Sequence, residues 1–306
     1  MITRTIEISN APAHLCIRLE QLVLQRDGQP VAHVPLEDVG IVVVDHPQSS
    51  YSHAALASLA SVRAVMIVCD EKHLPCGILL PLAQHSQIAS RIQDQAAAPA
   101  PLKKRLWRQI VQEKIRQQAA NLEVGSSAHR RLLELAREVR SGDATNCEAQ
   151  AAKVYWSSWL PQGAFRRRPQ GDSPNGLLNY GYAVLRAAVA RALVAAGLTP
   201  ALGLHHTHRA NAFCLADDLM EPLRPLVDER VRALYLDGRV MVDRKAKEEL
   251  LGLLSLRTET AGQTGPLLVT LHRYAASLAQ CLEGTRKRLE IPVRCKLADT
   301  DACGLS

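Results

Sequence analysis

Up to about residue 82 the chain alternates short apolar runs with polar turns. Runs at Ile6–Ile8, His14–Arg18, Leu22–Gln25, Val31–Val34, Gly40–Val44 and Ala64–Cys69 are strand-length and bounded by turn residues, so they predict β-strands. Asp27-Gly28 between two of these runs predicts a tight hairpin, because the mirror-image turns need positive φ. Ser52–Val62 interrupts the strands with one short helix, and Ile78–Leu82 predicts a last strand ending about Pro81. Residues 95–101, Gln-Ala-Ala-Ala-Pro-Ala-Pro, predict a linker, since two closely spaced prolines oppose both helix and ladder. Beyond it the apolar spacing turns helical. Leu106, Ile110, Val111, Ile115 and Leu122 lie at helical intervals around a basic face, and further helices are expected over 128–140, 145–159 and 175–196. The pattern predicts an α+β chain: a sandwich-like, β-rich domain with one short helix over residues 1–94, the linker, and an all-α domain over 102–306.

Composition narrows what such a chain does. With 306 residues, 47% hydrophobic and 22% charged, it has ample length to bury a core. No run approaches the roughly 18–20 apolar residues of a membrane span, and the start, MITRTIEISN, lacks signal-peptide features. The eight cysteines form no C-x-x-C pair, which predicts reduced thiols in a cytoplasmic protein. Aromatics are only 4%, against a surface that binds single strands mainly by base stacking. The net charge of +7 is uneven: residues 1–100 carry −3 and the remainder +10. A polyanion such as nucleic acid would therefore meet the helical part.

Chemistry concentrates in that part too. His205, His206 and His208 fall within four residues, and Asp217, Asp218 and Glu221 follow. On a helix these three carboxylates share a face within about 100°. They repel unless water, a base or a cation compensates them. Pro222 bends the chain beside Glu221. Mixed imidazole and carboxylate donors suit Mg²⁺ or Mn²⁺ in phosphate chemistry. A zinc site of the three histidines matches no usual spacing, and an amphipathic surface helix is the bland alternative. Glu148 sits in a small-residue helix, where an unpaired carboxylate is unfavourable. Arg166, Arg167 and Arg168, just before Pro169, form a candidate phosphate-binding loop. Phosphate-binding glycine loops and nucleophile–base signatures are absent.

Taken in order, these segments resemble one family. They are Glu148 with Ala151-Ala-Lys-Val-Tyr155, Asn175-Gly-Leu-Leu-Asn-Tyr-Gly-Tyr182, Gly203-Leu-His-His206, and Asn211 through Asp217-Asp-Leu-Met-Glu-Pro222 to Asp228. The family is the CRISPR-associated spacer-integration endonucleases, and the chain is most similar to their type II branch. The resemblance implies a dimerising β domain and a helical catalytic domain holding one divalent Mg²⁺ or Mn²⁺ ion. It places the metal ligands on Glu148, His206 and Glu221, with Asp218 beside the site and His205 as a neighbouring, competing imidazole. Leu223 departs from the family's usual Phe, and the tail beyond about residue 290 has no readable counterpart. The implied reaction is attack of a fragment's 3′-hydroxyl on a phosphodiester at the repeat boundary, with DNA nicking when water attacks. The implied partners are double-stranded DNA, a second copy of the chain, and a small adaptation protein that completes a heterohexamer. For the type II branch they extend to the effector nuclease, although no residue here marks that contact. A basic DNA-binding module without catalysis and a phosphodiesterase with another substrate are the competing readings.

Overall fold

The computed structural model describes residues 4–71, 73–81, 85–161, 165–168 and 170–295. The N-terminal part consists of two four-stranded sheets. The first runs β1–β5–β7–β8, built from Arg4–Ile8, Val39–Val44, Val65–Cys69 and Pro75–Leu79. Its first three strands are parallel and β8 is antiparallel. The second runs β4–β3–β2–β6, from Gln29–Pro35, Gln21–Arg26, His14–Arg18 and Ser50–Tyr51. Asp27 and Gly28 connect β3 to β4 with φ of 50° and 74°, the conformation expected of that dipeptide. The short helix α1, His53–Ser61, is capped by Ser52, whose hydroxyl accepts from the Ala55 amide at 3.2 Å. The expected last strand is β8; Leu82 lies outside the described residues.

Every residue of β5 is buried, because the first sheet is covered on both faces. Val42 and Val44 point into a core shared with Leu15, Leu22 and Leu59, whereas Ile41 and Val43 join the core of the helical part. The two parts thus meet across a sheet. The expected linker is absent: Gln95 lies within α2, Ile88–Ala97, and two residues later α3 runs over Ala100–Ala120. Pro99 and Pro101 fall at the start of α3, where the first amides have no intrahelical acceptor, so the prolines begin a helix here. Gln95 is 2% exposed, and its side-chain amide bonds Thr199 N, Thr199 O and Leu202 O at 2.8–3.0 Å.

Helices α4 (Ser127–Glu138), α5 (Cys147–Ser158) and α6 (Asn175–Ala195) follow. Apolar nearly all round, α6 is the central core helix. A methyl group on its Gly181 would lie 2.5 Å from Val227 Cγ1, so glycine lets α8 approach. The chain continues through α7 (Cys214–Met220), a 3₁₀ turn at Glu221–Leu223, α8 (Arg224–Leu236), α9 (Arg244–Gly252) and α10 (Leu267–Leu282). The expectation of an all-α second part needs correction. Strands β9 (Arg257–Thr260), β10 (Gln263–Pro266) and β11 (Val293–Arg294) form a small antiparallel sheet, ordered β10–β9–β11. The polar four-residue strands β9 and β10 show no apolar alternation; they are held instead by a left-handed Ala261-Gly262 turn and a 2.6 Å bond between the buried Thr258 and Thr270 hydroxyls. The seven described cysteines are free.

A buried ion pair also ties the two parts together. Asp45, just after β5, meets Lys247 of α9 and accepts from His73 Nδ1 at 3.0 Å. Removing one member strands the other charge away from water. Lys247→Met is therefore expected to destabilise the protein by about 3 kcal/mol in urea unfolding, and adding Asp45→Asn to recover part of the loss.

Candidate metal centre

The site lies where α3, α5 and the α7–α8 bend converge. Glu148 occupies the first turn of α5, and Asp143 sets that turn by accepting from the Cys147 and Glu148 amides at 2.9 and 3.0 Å. Glu221 opens the 3₁₀ turn, where Pro222 breaks the helical ladder between α7 and α8. The two carboxylates share one cation: Lys114 Nζ of α3 lies 2.6 Å from Glu148 Oε1 and 2.5 Å from Glu221 Oε2. Arg224 Nε adds a contact of 2.9 Å to Glu221 Oε1. Burial by itself raises the Glu221 pKa, but Arg224 and Lys114 overcome it and hold the carboxyl at about 2. Burial likewise opposes the Lys114 charge, and Glu221 and Glu148 prevail to raise its pKa.

The histidines come from the loop that Gln95 clamps. Asp218, fully buried on α7, gathers that loop: Oδ2 accepts from the Leu204 and His205 amides at 2.6 and 3.0 Å, and Oδ1 from the His206 amide at 3.2 Å. The same Oδ1 lies 2.6 Å from His206 Nδ1. That bond places the ring proton on Nδ1, leaves the Nε2 lone pair free, and raises the His206 pKa. His205 is turned otherwise, its ring stacked on Trp107 of α3 at 4.3 Å and 3°. Gly203 is required by the closeness of the turn, since a methyl group there would lie 2.2 Å from His206 O and 2.9 Å from Asp218 Oδ2.

The expected acidic face is thus divided among separate partners. Asp217 pairs with Arg186 at 3.2 Å and accepts from Asn211 at 2.7 Å, Asp218 holds the histidine loop, and Glu221 meets Lys114. His208 is exposed. Arg167 is half-buried and donates to the side-chain oxygens of Asn175 and Asn179 at 2.8 and 2.6 Å, which anchors its loop to α6; Arg166 and Arg168 are exposed. Pro169 lies outside the described residues. The residues that sequence reasoning missed are Lys114, Trp107 and Arg224. Lys114 had a signal, since it continues the inward stripe Trp107–Val111–Lys114–Gln118 on α3. Beside the site, a cavity of about 270 Å³ is lined by Lys114, Arg167, Arg224, Tyr182 and Asp228. Burial lifts the Asp228 carboxyl to about 7 while the Tyr155 and Tyr182 hydroxyls donate to it.

Among the described residues no three His, Cys, Asp or Glu side chains already close around one point, since Lys114 stands between the two carboxylates. The donor set nevertheless fits a hard divalent cation. It offers two carboxylates that already attract a cation, and an imidazole fixed by a buried carboxylate. Glu221 Oε2 is buried, and the Lys114 ammonium 2.5 Å away occupies its lone pairs as a cation would.

Residues 6–258 match the sequence profile of the CRISPR associated protein Cas1 family. The chain belongs to the Cas1 family. The CRISPR-associated endonuclease Cas1 of Neisseria meningitidis serogroup C (strain 8013) is 38% identical to this Cas1-family chain over 297 residues, covering 95% of it and 96% of the relative. A CRISPR-associated endonuclease Cas1 from Pyrobaculum aerophilum is 30% identical, covering 85% and 92%. The fold recurs in a casposase bound to integration product, with a TM-score of 0.76, 18% identity and coverage of 95% and 93%. It recurs also in a Cas6-RT-Cas1–Cas2 complex, with a TM-score of 0.74, 16% identity and coverage of 95% of this chain and 36% of that one.

The closed turn at Gly203 is a direct check on this geometry. Gly203→Ala is expected to displace the His206 loop from Asp218 and lower metal-dependent DNA cleavage by at least about 100-fold, with native secondary structure retained by circular dichroism. Cleavage at the wild-type rate would contradict the described loop.

Proposed function

We propose that this protein is the integrase of CRISPR adaptation, joining short double-stranded DNA fragments into the repeat array as new spacers, in the cytoplasm. The observation that carries the reading is the meeting of two carboxylates from different helices, Glu148 and Glu221, beside an imidazole that Asp218 orients. In this reading Glu148, Glu221 and Nε2 of His206 hold one divalent ion, Mg²⁺ or Mn²⁺. When bound, such an ion polarises the scissile phosphodiester and stabilises charge on its oxygens. The protein's own groups do the rest. Asp218 keeps the His206 ring in one orientation, and Arg224 supplies fixed positive charge next to the reacting phosphate. Attack by a fragment's 3′-hydroxyl gives strand transfer, and attack by water gives nicking, which is the endonuclease activity.

The basic surface supports DNA as the substrate. Arg105, Arg108, Gln112 and Arg116 recur every three or four residues on α3, and Lys287 and Arg288 face them across a groove of about 590 Å³. Gln109 builds that groove by accepting from Leu289 N at 3.0 Å and donating to Lys287 O at 3.4 Å. Among the described residues Arg105, Arg108, Lys287 and Arg288 form no ion pair, which leaves their charge for phosphates. Exposed Arg166 and Arg168 extend the contact, and Arg167 positions their loop. These groups track the backbone without reading sequence. The β-rich part over residues 1–94 serves for dimerisation in this proposal, and the assembly is two such dimers flanking a dimer of Cas2. The type II effector nuclease joins the same proposal as a partner in fragment selection.

The test is an integration assay with Cas2, Mn²⁺ and repeat-containing DNA. Glu148→Ala, His206→Ala and Glu221→Gln are each expected to reduce strand transfer by at least about 100-fold while DNA affinity changes by less than about 3-fold. Integration by all three variants at the wild-type rate would contradict the site. A second expectation concerns the groove. Replacing Arg105, Arg108 and Arg288 with alanine is expected to lower the slope of log affinity against log salt by about 2 to 3, measured by fluorescence anisotropy with duplex DNA. An unchanged slope would place the phosphate contacts elsewhere.

A further inference from the structure

Lys114 has no role in the chemistry set out above, and its position calls for one. It projects from the inward face of α3 between Trp107, Val111 and Gln118, which are all buried, and its own side chain is 12% exposed. A lysine is seldom kept in such a position unless its charge is matched. Here the match is double: the ammonium lies 2.6 Å from Glu148 Oε1 and 2.5 Å from Glu221 Oε2, oxygens carried by separate elements. Those two carboxylates are also the ones the proposed function assigns to a divalent cation. A metal ion sits about 2.1 Å from a carboxylate oxygen, so an ion held by both groups would stand within about 5 Å of an unmoved Lys114 Nζ. Two positive charges that close in a poorly hydrated site repel strongly. Both cations therefore do not occupy the space between Glu148 and Glu221 together.

We propose that Lys114 is a displaceable internal cation: its ammonium holds Glu148 and Glu221 in place without metal, and metal binding expels it, so that binding is a cation exchange. The inference rests on the metal-centre reading of the preceding subsection. It explains how two carboxylates stay near each other before metal arrives, when repulsion alone would splay them. It also implies that the protein sets its metal affinity below what its donors could reach, because each binding event breaks two ion pairs. The long, flexible stem of lysine suits the exchange, and the cavity of about 270 Å³ that Lys114 lines gives the stem room to swing. An arginine or a second metal-binding carboxylate in its place would lack that mobility or that charge.

Two measurements on the full-length protein decide the matter. In the wild type, labelling of Lys114 by reductive methylation, read by peptide mass spectrometry, is expected to rise several-fold when Mn²⁺ is added. Lys247, buried against Asp45, serves as the internal control and is expected to stay constant. In Lys114→Met, calorimetry is expected to give at least about tenfold tighter Mn²⁺ binding, with a lower metal-free melting temperature and a larger rise on adding Mn²⁺. Unchanged or reduced labelling at saturating Mn²⁺ would overturn the exchange, as would a variant that binds Mn²⁺ no more tightly than the wild type. If the variant does not fold, the labelling result stands alone and decides. A wild type that binds no Mn²⁺ would overturn the metal-centre reading together with the exchange. Mn²⁺ binding without a change at Lys114 would overturn the exchange only.

Discussion

Two carboxylates drawn out of water toward each other demand positive charge between them, and much of the helical part is arranged around that demand. Glu148 arrives on the first turn of α5, which Asp143 fixes, and Glu221 arrives where Pro222 breaks the α7–α8 ladder. Lys114 and Arg224 answer them from α3 and α8. Asp218 stays apart from this negative cluster by accepting three backbone amides and one imidazole, and in doing so shapes the loop that carries His206. The carboxylates thus play distinct parts: two face a cation, one builds a loop, and Asp217 is taken up by Arg186 and Asn211.

This arrangement needs a rigid surround, and the fold supplies it through shared burial. The first sheet is packed on both faces, so β5 belongs to two cores and fixes the β-rich part against the helices. Gln95 reaches from α2 to clamp residues 199–202, just upstream of the histidine loop, and Asp45 with Lys247 holds α9 to the sheet. The uneven charge then has a structural meaning. The net-acidic first hundred residues hold the strands of the two N-terminal sheets, and the basic remainder carries a groove lined by Arg105, Arg108 and Arg288. That groove lies on the face of α3 opposite Lys114, about 180° around the helix from Arg105. One helix therefore carries basic residues on its groove side and places Lys114 on its inner side, between Glu148 and Glu221.

Much of this was legible in the sequence. Alternation and turn residues placed β1 to β5, β7 and α1, and helical spacing placed α3 to α6, because burial of one face enforces those periods. The family segments pointed to Glu148, His206, Asp218 and Glu221, which the structure brings to one region. Other features depend on contacts between distant residues. An Ala-Pro stretch reads as a linker until Gln95 is seen buried against Thr199, and the β9–β10 hairpin has no apolar alternation to announce it. The arginines at 166–168 look equivalent in sequence, yet only Arg167 finds two asparagines and turns inward. Lys114 appears as one more base on a basic helix, although its register with Trp107, Val111 and Gln118 points it toward the core.

The central claim is that Glu148, His206 and Glu221 form one divalent-metal centre. Its most direct test is anomalous diffraction from crystals of the full chain grown with Mn²⁺. A single strong peak is expected about 2.1–2.5 Å from a Glu148 oxygen, a Glu221 oxygen and His206 Nε2, with the Lys114 ammonium withdrawn from between the carboxylates. A peak bound elsewhere, or none at this position with Lys114 still bridging Glu148 and Glu221 at saturating Mn²⁺, would contradict it.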